Sequence, residues 1–236
     1  MRQAGQAAYA AGRVSDLIDS TGPGSRGVCL GQPMRYHRRT GSTAEGETME
    51  VFEAILNRRS IRKFSGAPVE RAVIERLIEA AGSAPSVANA QPWHFHVTSG
   101  ATRDAVCGVT ALSTVHLQEY LDLLPPADYE AAERFFANLG SAPVVIVVSV
   151  PVAEDEPTRI NDTLATGCAI ENLMIAAFAE DLGCCNITFS FWVRDKLADL
   201  LGIGEEREII SLVLLGHPAE VPEPIVRRTD VATYLD

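Results

Sequence analysis

The sequence predicts an α+β or α/β sandwich, and three observations point there. Segments with apolar residues at helical spacing alternate with a few short β-branched runs. The run Val144 to Val150 is almost entirely valine and isoleucine, as a strand covered on both faces requires. Thr163 to Leu182 is a long, mostly apolar helix, and such a helix belongs in a core or a subunit interface.

In chain order, Val51, Ile55 and their neighbours Phe52 and Leu56 first mark a short amphipathic helix ending near Arg58. Pro68 and Glu70 open a second helix, in which Val73, Ile74, Leu77, Ile78 and Ala81 repeat at helical spacing until Gly82 and Pro85 end it. Trp93 to Thr98 reads as a strand. Residues 101–139 are mostly helical, with a break at Pro125-Pro126. After the long helix come a strand from Cys184 to Phe189, a helix from Arg194 to Leu201 and a strand from Ile209 to Leu215. Pro222 and Pro224 introduce an irregular tail.

Residues 1–48 differ from the rest. They are rich in Gly, Ser, Arg and Gln, hold no sustained period, and are expected to form a flexible N-terminal extension to a single domain over 49–236. Gly22 to Gly27 formally matches the dinucleotide pattern G-x-G-x-x-G. A helix-like stretch precedes it, however, and Gly31 and Pro33 break the chain soon after it, so the required strand and helix are missing.

Composition bounds the function. The chain has 236 residues, 47% of them hydrophobic, enough for a substantial core. No apolar run approaches the ~18 residues of a membrane span. The net charge of −11 disfavours general nucleic-acid binding. The extension carries six arginines against four acids, so the remainder holds a net −13. An acidic body that still clusters arginines has placed them for a specific anion. The five cysteines show no metal-type spacing and read as small core residues in a reducing, cytoplasmic compartment. His94 and His96 alternate on a strand and share a face, but two lone ligands make a poor metal site, and none is assigned.

The chemistry concentrates in two stretches. Asn57 to Phe64 packs Arg58, Arg59, Arg62 and Lys63 around Ser60, while Ile61 and Phe64 anchor the segment in the core. Arginine forks match phosphate bidentately and a serine hydroxyl adds a donor. Taken alone, the segment also suits a solvated basic helix end. About 20 residues later comes Ala84-Pro85-Ser86-Val87-Ala88-Asn89-Ala90-Gln91-Pro92-Trp93-His94-Phe95.

Together these two motifs resemble the nitroreductase family. The likeness continues through Glu171-Asn172-Leu173 with Ala176-Ala177, similar to that family's long dimer-interface helix, and through Leu182-Gly183. It extends to Gly216-His217-Pro218-Ala219-Glu220 and the pair Arg227-Arg228. The match spans roughly residues 50–232.

The resemblance implies a three-layer α/β/α sandwich in an intertwined homodimer, with FMN bound at the subunit interface. It implies that Arg58, Ser60 and Arg62 hold the phosphate and the flavin's polar edge, with Arg59 contributing contacts and Arg227 or Arg228 completing the phosphate site. Pro85, Ser86, Val87 and Asn89 would reach the ring from the partner subunit. Asn186 to Trp192 is where the family places groups beside flavin N5. Thr188 and Ser190 there resemble the hydroxyl pair of the iodotyrosine-deiodinase branch, which would favour one-electron steps; they also read as plain strand residues. Phe189, Phe191 and Trp192 either pave the substrate side or pack under the next helix. Leu112 to Phe136 corresponds to the family's variable lid.

The implied activity is electron transfer from NAD(P)H to a small oxidised acceptor, a nitroaromatic or quinone, in a ping-pong cycle. The alternatives are a reductive dehalogenase-like or other specialised flavoenzyme of the same fold, and a flavin-binding protein without turnover.

Overall fold

The computed structural model describes residues 49–116, 126–222 and 226–235, without the side chains of 126–129 and 190. The expected extension, 1–48, lies outside these residues, as does the part of the expected lid between 117 and 125.

Six helices and four strands are named among the described residues. They are α1 (Val51–Asn57), α2 (Arg71–Gly82), β1 (His94–Ser99), α3 (Gly100–Ala111), α4 (Pro126–Asn138), β2 (Val144–Pro151), α5 (Glu156–Ala179), β3 (Gly183–Ile187), α6 (Arg194–Leu201) and β4 (Arg207–Gly216). The strands form one antiparallel sheet in the order β1-β2-β4-β3. A bulge between Val148 and Ser149 shifts the register of β2 against β4.

Strand alternation builds two cores, one on each face of this sheet. Val145, Val147, Leu212 and Leu214 pack with Val106 of α3, Phe136 of α4 and Leu197 of α6. Val144, Ile146, Val148, Val213 and Leu215 pack with Leu77 of α2 and with Leu173 and Ala177 of α5. Helices thus cover both faces, giving the three layers expected. Each fully buried aliphatic side chain here stabilises the fold by about 1.5–3 kcal/mol.

The structure differs from the sequence reading at several element boundaries and in the burial of α1. The long helix begins at Glu156, not Thr163, because Asp155 caps it: its carboxylate accepts the Thr158 N–H at 2.8 Å, and Pro157 sits in the first turn, where it costs no hydrogen bond. Strand β3 stops at Ile187, and Phe189 enters a 3-10 turn, Phe189–Trp192, instead of extending the strand. In α1 only Ala54 is buried; Val51, Phe52, Ile55 and Leu56 face outward.

Candidate active site

The arginine segment leaves α1 as an extended strip laid along β3. Ser60 bridges Cys184 in parallel, and the Ile61 N–H donates to the Cys184 carbonyl at 2.9 Å. Ile61 and Phe64 turn into the core, as their spacing predicts, while Arg58, Arg59, Ser60 and Arg62 stay half-buried. Close approach of strip and strand requires Gly183, where a Cβ would sit 2.7 Å from the Ile61 side chain.

The far end of the strip is pinned by the Gly216–Glu220 motif. The Glu220 carboxylate accepts the N–H groups of Arg62 at 2.5 Å and Lys63 at 3.1 Å. Backbone bonds from Ser65 N to His217 O and from Ala219 N to Lys63 O flank it. Phe64 N donates to Gly140 O, and Gly140 holds φ +64 where a Cβ would collide with the Arg62 carbonyl. The motif's acid therefore organises the backbone of the cationic strip.

Each cation has its own setting. Arg58 Nε donates to Glu171 Oε1 of α5 at 3.0 Å. Arg59 folds back, its Nη1 donating to the carbonyls of Leu56 at 2.7 Å and Arg58 at 2.9 Å, which completes the C-terminal end of α1. Burial pushes the thiols of Cys184 and Cys185 well up, so both are inert core groups; for Cys185 the charges of Arg62 and Arg58 oppose that rise only in part.

The second motif forms a tight surface loop. Ala88, Asn89 and Gln91 take positive φ values of 50°, 57° and 46°. Such left-handed backbone costs non-glycine residues roughly 1–3 kcal/mol each and concentrates at functional sites. Internal bonds hold the loop: Asn89 N to Ser86 O, Ala90 N to Val87 O, and Gln91 N to Ser86 Oγ at 3.0 Å. Pro85, Val87 and Asn89 are exposed and Ser86 is half-buried. The Val87–Asn89 turn packs against α5, the helix that also receives α1.

At the exit of β3, Thr188 is exposed, and Ser190 lies in the 3-10 turn. Phe189 and Trp192 pack against the core, their rings 4.3 Å apart, and Phe189 stacks on Phe136 at 4.5 Å. Phe191 remains exposed beside Trp192, at 4.0 Å. Two rings of the trio thus pack against the core, and Phe191 faces out. The Ser211 hydroxyl donates to Asn186 Oδ1 and steadies the strand. Arg227 and Arg228 lie on an exposed stretch outside helix and strand, where Arg228 makes a two-pronged pair with Asp230, both contacts 2.9 Å.

A groove of about 1000 Å³ opens elsewhere, lined by Ile74, Val97, Arg103 and Pro143 among others, and includes none of the predicted site residues. Among the described residues no cluster of His, Cys, Asp and Glu fits a metal, and no helix is long and apolar enough to cross a membrane. Sequence reasoning assigned no separate role to Glu171 or Glu220, and passed over Arg207, whose guanidinium reaches the carbonyl of Pro92. The motif context signalled Glu220; nothing local signals the other two contacts, which span 113 and 115 residues of chain.

Comparison with known proteins places this geometry. The model of the Nitroreductase family matches residues 55–217. Nitroreductase NfnB of Mycolicibacterium smegmatis is 26% identical over 208 residues, covering 73% of this chain and 86% of that protein. The 5,6-dimethylbenzimidazole synthase of Rhodospirillum rubrum is 28% identical over 219 residues, covering 80% of this chain and all of the relative. Among solved structures, the FMN-dependent nitroreductase NfnB from Mycobacterium smegmatis in complex with NADPH superposes with a TM-score of 0.62 at 22% identity, over 78% of this chain and 97% of that one. Strip, strained loop and sheet topology, with a family match that runs across all of them, lead to one conclusion: the chain belongs to the nitroreductase family.

Proposed function

We propose that this protein is an FMN-dependent oxidoreductase that passes electrons from NAD(P)H to a small oxidised acceptor, such as a nitroaromatic or a quinone, in a ping-pong cycle. The observation that carries this is the extended Arg58–Arg62 strip, fixed along β3 with half-buried cations and a serine hydroxyl, a donor set that suits a phosphate monoester. FMN when bound supplies the redox chemistry.

The chain's own residues have defined tasks in this reading. Arg58, Ser60 and Arg62 bind the phosphate and the polar edge of the ring, with Arg59 holding the end of α1 beneath them and Arg227 or Arg228 closing the phosphate site. Pro85, Ser86, Val87 and Asn89 orient the ring from the partner subunit. Thr188 and Ser190 follow β3, and in this reading a hydroxyl there would donate a hydrogen bond to the reacting edge of the bound flavin. Clustered cations stabilise the reduced, anionic cofactor.

A homodimer is part of the proposal. Outward-facing Val51, Phe52, Ile55 and Leu56 of α1, with Ile160 and Leu164 of α5, leave these two helices with more exposed apolar surface than the scattered single residues of a monomer. Introducing charge by L164R converts the dimer to monomer in sedimentation velocity and releases the cofactor. A dimer that persists with L164R places the interface elsewhere. Free Cys107, Cys168, Cys184 and Cys185 support a reducing, cytoplasmic setting.

A specialised flavoenzyme is the second reading, favoured by the hydroxyl-bearing exit of β3 and by the full-length likeness to a dimethylbenzimidazole synthase. Anaerobic titration of the purified protein with NADH and then NADPH separates the two. Bleaching of flavin bands, followed by re-oxidation with a nitroaromatic or quinone, supports the reductase. Flavin that neither nucleotide reduces favours the specialised enzyme. A colourless protein that FMN does not reconstitute refutes both.

A further inference from the structure

The strained loop has an anchor outside every motif. Arg207, the first residue of β4, is half-buried, and its Nη2 donates to the Pro92 carbonyl at 2.7 Å and to the Ser149 carbonyl at 2.8 Å. Its Nε donates to Ser149 Oγ at 2.9 Å. Ser149 is buried at the bulge of β2, and its Oγ lies 3.0 Å from His96 Nε2 on β1. One guanidinium thus ties two strands of the sheet to the C-terminal end of a loop that carries three residues at positive φ.

We propose that Arg207, backed by Ser149 and His96, is the positioning residue that sets the Pro85–Asn89 loop for flavin, and that protonation of His96 loosens this hold. The inference rests on the flavin reading above. The Ser149 hydroxyl accepts from Arg207 and keeps one hydrogen of its own to give; the proposed hold takes the Nδ1–H tautomer of His96, in which Nε2 accepts that hydrogen. A solvent proton taken up at Nε2 removes that acceptor and sets an imidazolium against the guanidinium. Several groups resist that uptake. Burial first, then His94, with ring centroids 4.6 Å away, and then Arg207 hold the His96 imidazole below its ordinary value. The acids do not offset them: Glu206 adjoins Arg207, Glu208 is paired with Arg194, and Asp104 on α3 is paired with Arg103 at the Ser99 end of the strand. Neutral His96 and a gripped loop therefore belong to neutral and alkaline pH, and the grip fails as pH falls through the lowered value.

The test is fluorescence titration of the apoprotein with FMN at about pH 8 and about pH 4.5, well below the ordinary imidazole range, on wild type, R207M and H96Q. R207M weakens FMN on the order of tenfold at the higher pH. H96Q keeps an acceptor for Ser149 but cannot titrate, so its affinity falls less between the two pH values than that of wild type. The cofactor phosphate titrates near pH 6 in every sample and cancels in the comparison. If R207M binds as wild type, or H96Q tracks wild type at both pH values, the proposal is overturned. If R207M does not fold, H96Q decides alone. If wild type itself binds no FMN, the flavin reading fails and takes this inference with it, an outcome distinct from failure of the anchor.

Discussion

The Arg58 Nε–H donates to the Glu171 carboxylate at 3.0 Å, tying the cationic strip to the long helix α5. The Arg58 side chain is 18% exposed and that of Glu171 42%, so the pair sits at a solvent margin and serves orientation more than stability. One edge of the guanidinium is committed to α5, which restricts the side chain's rotamers.

Loss of Arg58 is expected to weaken FMN by roughly 1.5–3 kcal/mol, the range for a hydrogen bond to a charged group. Replacing Glu171 with alanine keeps the cation but frees it to wander, so the loss is smaller. Titrations of R58A and E171A with FMN check the order: equal losses would make Glu171 a direct ligand, and no loss in R58A would remove Arg58 from the phosphate site.

Glu220 accepts two successive backbone N–H groups across about 158 residues of chain. E220A leaves both donors without this acceptor and is expected to cost about 1–3 kcal/mol in chemical denaturation. E220Q retains an acceptor oxygen and loses less. Wild-type stability in E220A would mean that water replaces the carboxylate at no cost.

Gly183 faces the Ile61 side chain with no room for a methyl group. G183A is expected to destabilise by about 1–3 kcal/mol through overpacking. Trimming the opposing residue in G183A/I61V should recover part of that loss, and additive losses in the double-mutant cycle would place the strain somewhere else.

Asp155 holds its carboxyl below the usual range through its bonds to Thr158, the backbone N–H first. A carboxyl lowered by folding contributes stability above its unfolded value and loses it as pH falls through the lowered one. Melting temperatures of wild type and D155A should therefore differ at neutral pH and converge in acid. A gap that persists unchanged in acid would assign the effect to something other than the ionised cap.

Element order, the two-faced burial of Val144–Val150 and the division of the 57–64 segment into core anchors and cations could all be read from the chain alone. These are local properties: spacing decides which side chains share a face, and burial accompanies it. The caps and turns were partly legible. Asp155 and Pro157 mark the true start of α5, yet the apolar period that announces the helix begins only later.

Which distant groups meet was settled by the closed fold. No pattern near Arg207 reveals that its guanidinium ends on the Pro92 carbonyl, and no pattern near Glu171 reveals Arg58. The fold also left the apolar residues of α1 facing outward, where periodicity had marked an amphipathic helix. Helical and strand periods are written by neighbours along the chain. A hydrogen bond across the sheet depends instead on strand order, register and the bulge at Ser149, and these are set only when the whole core closes.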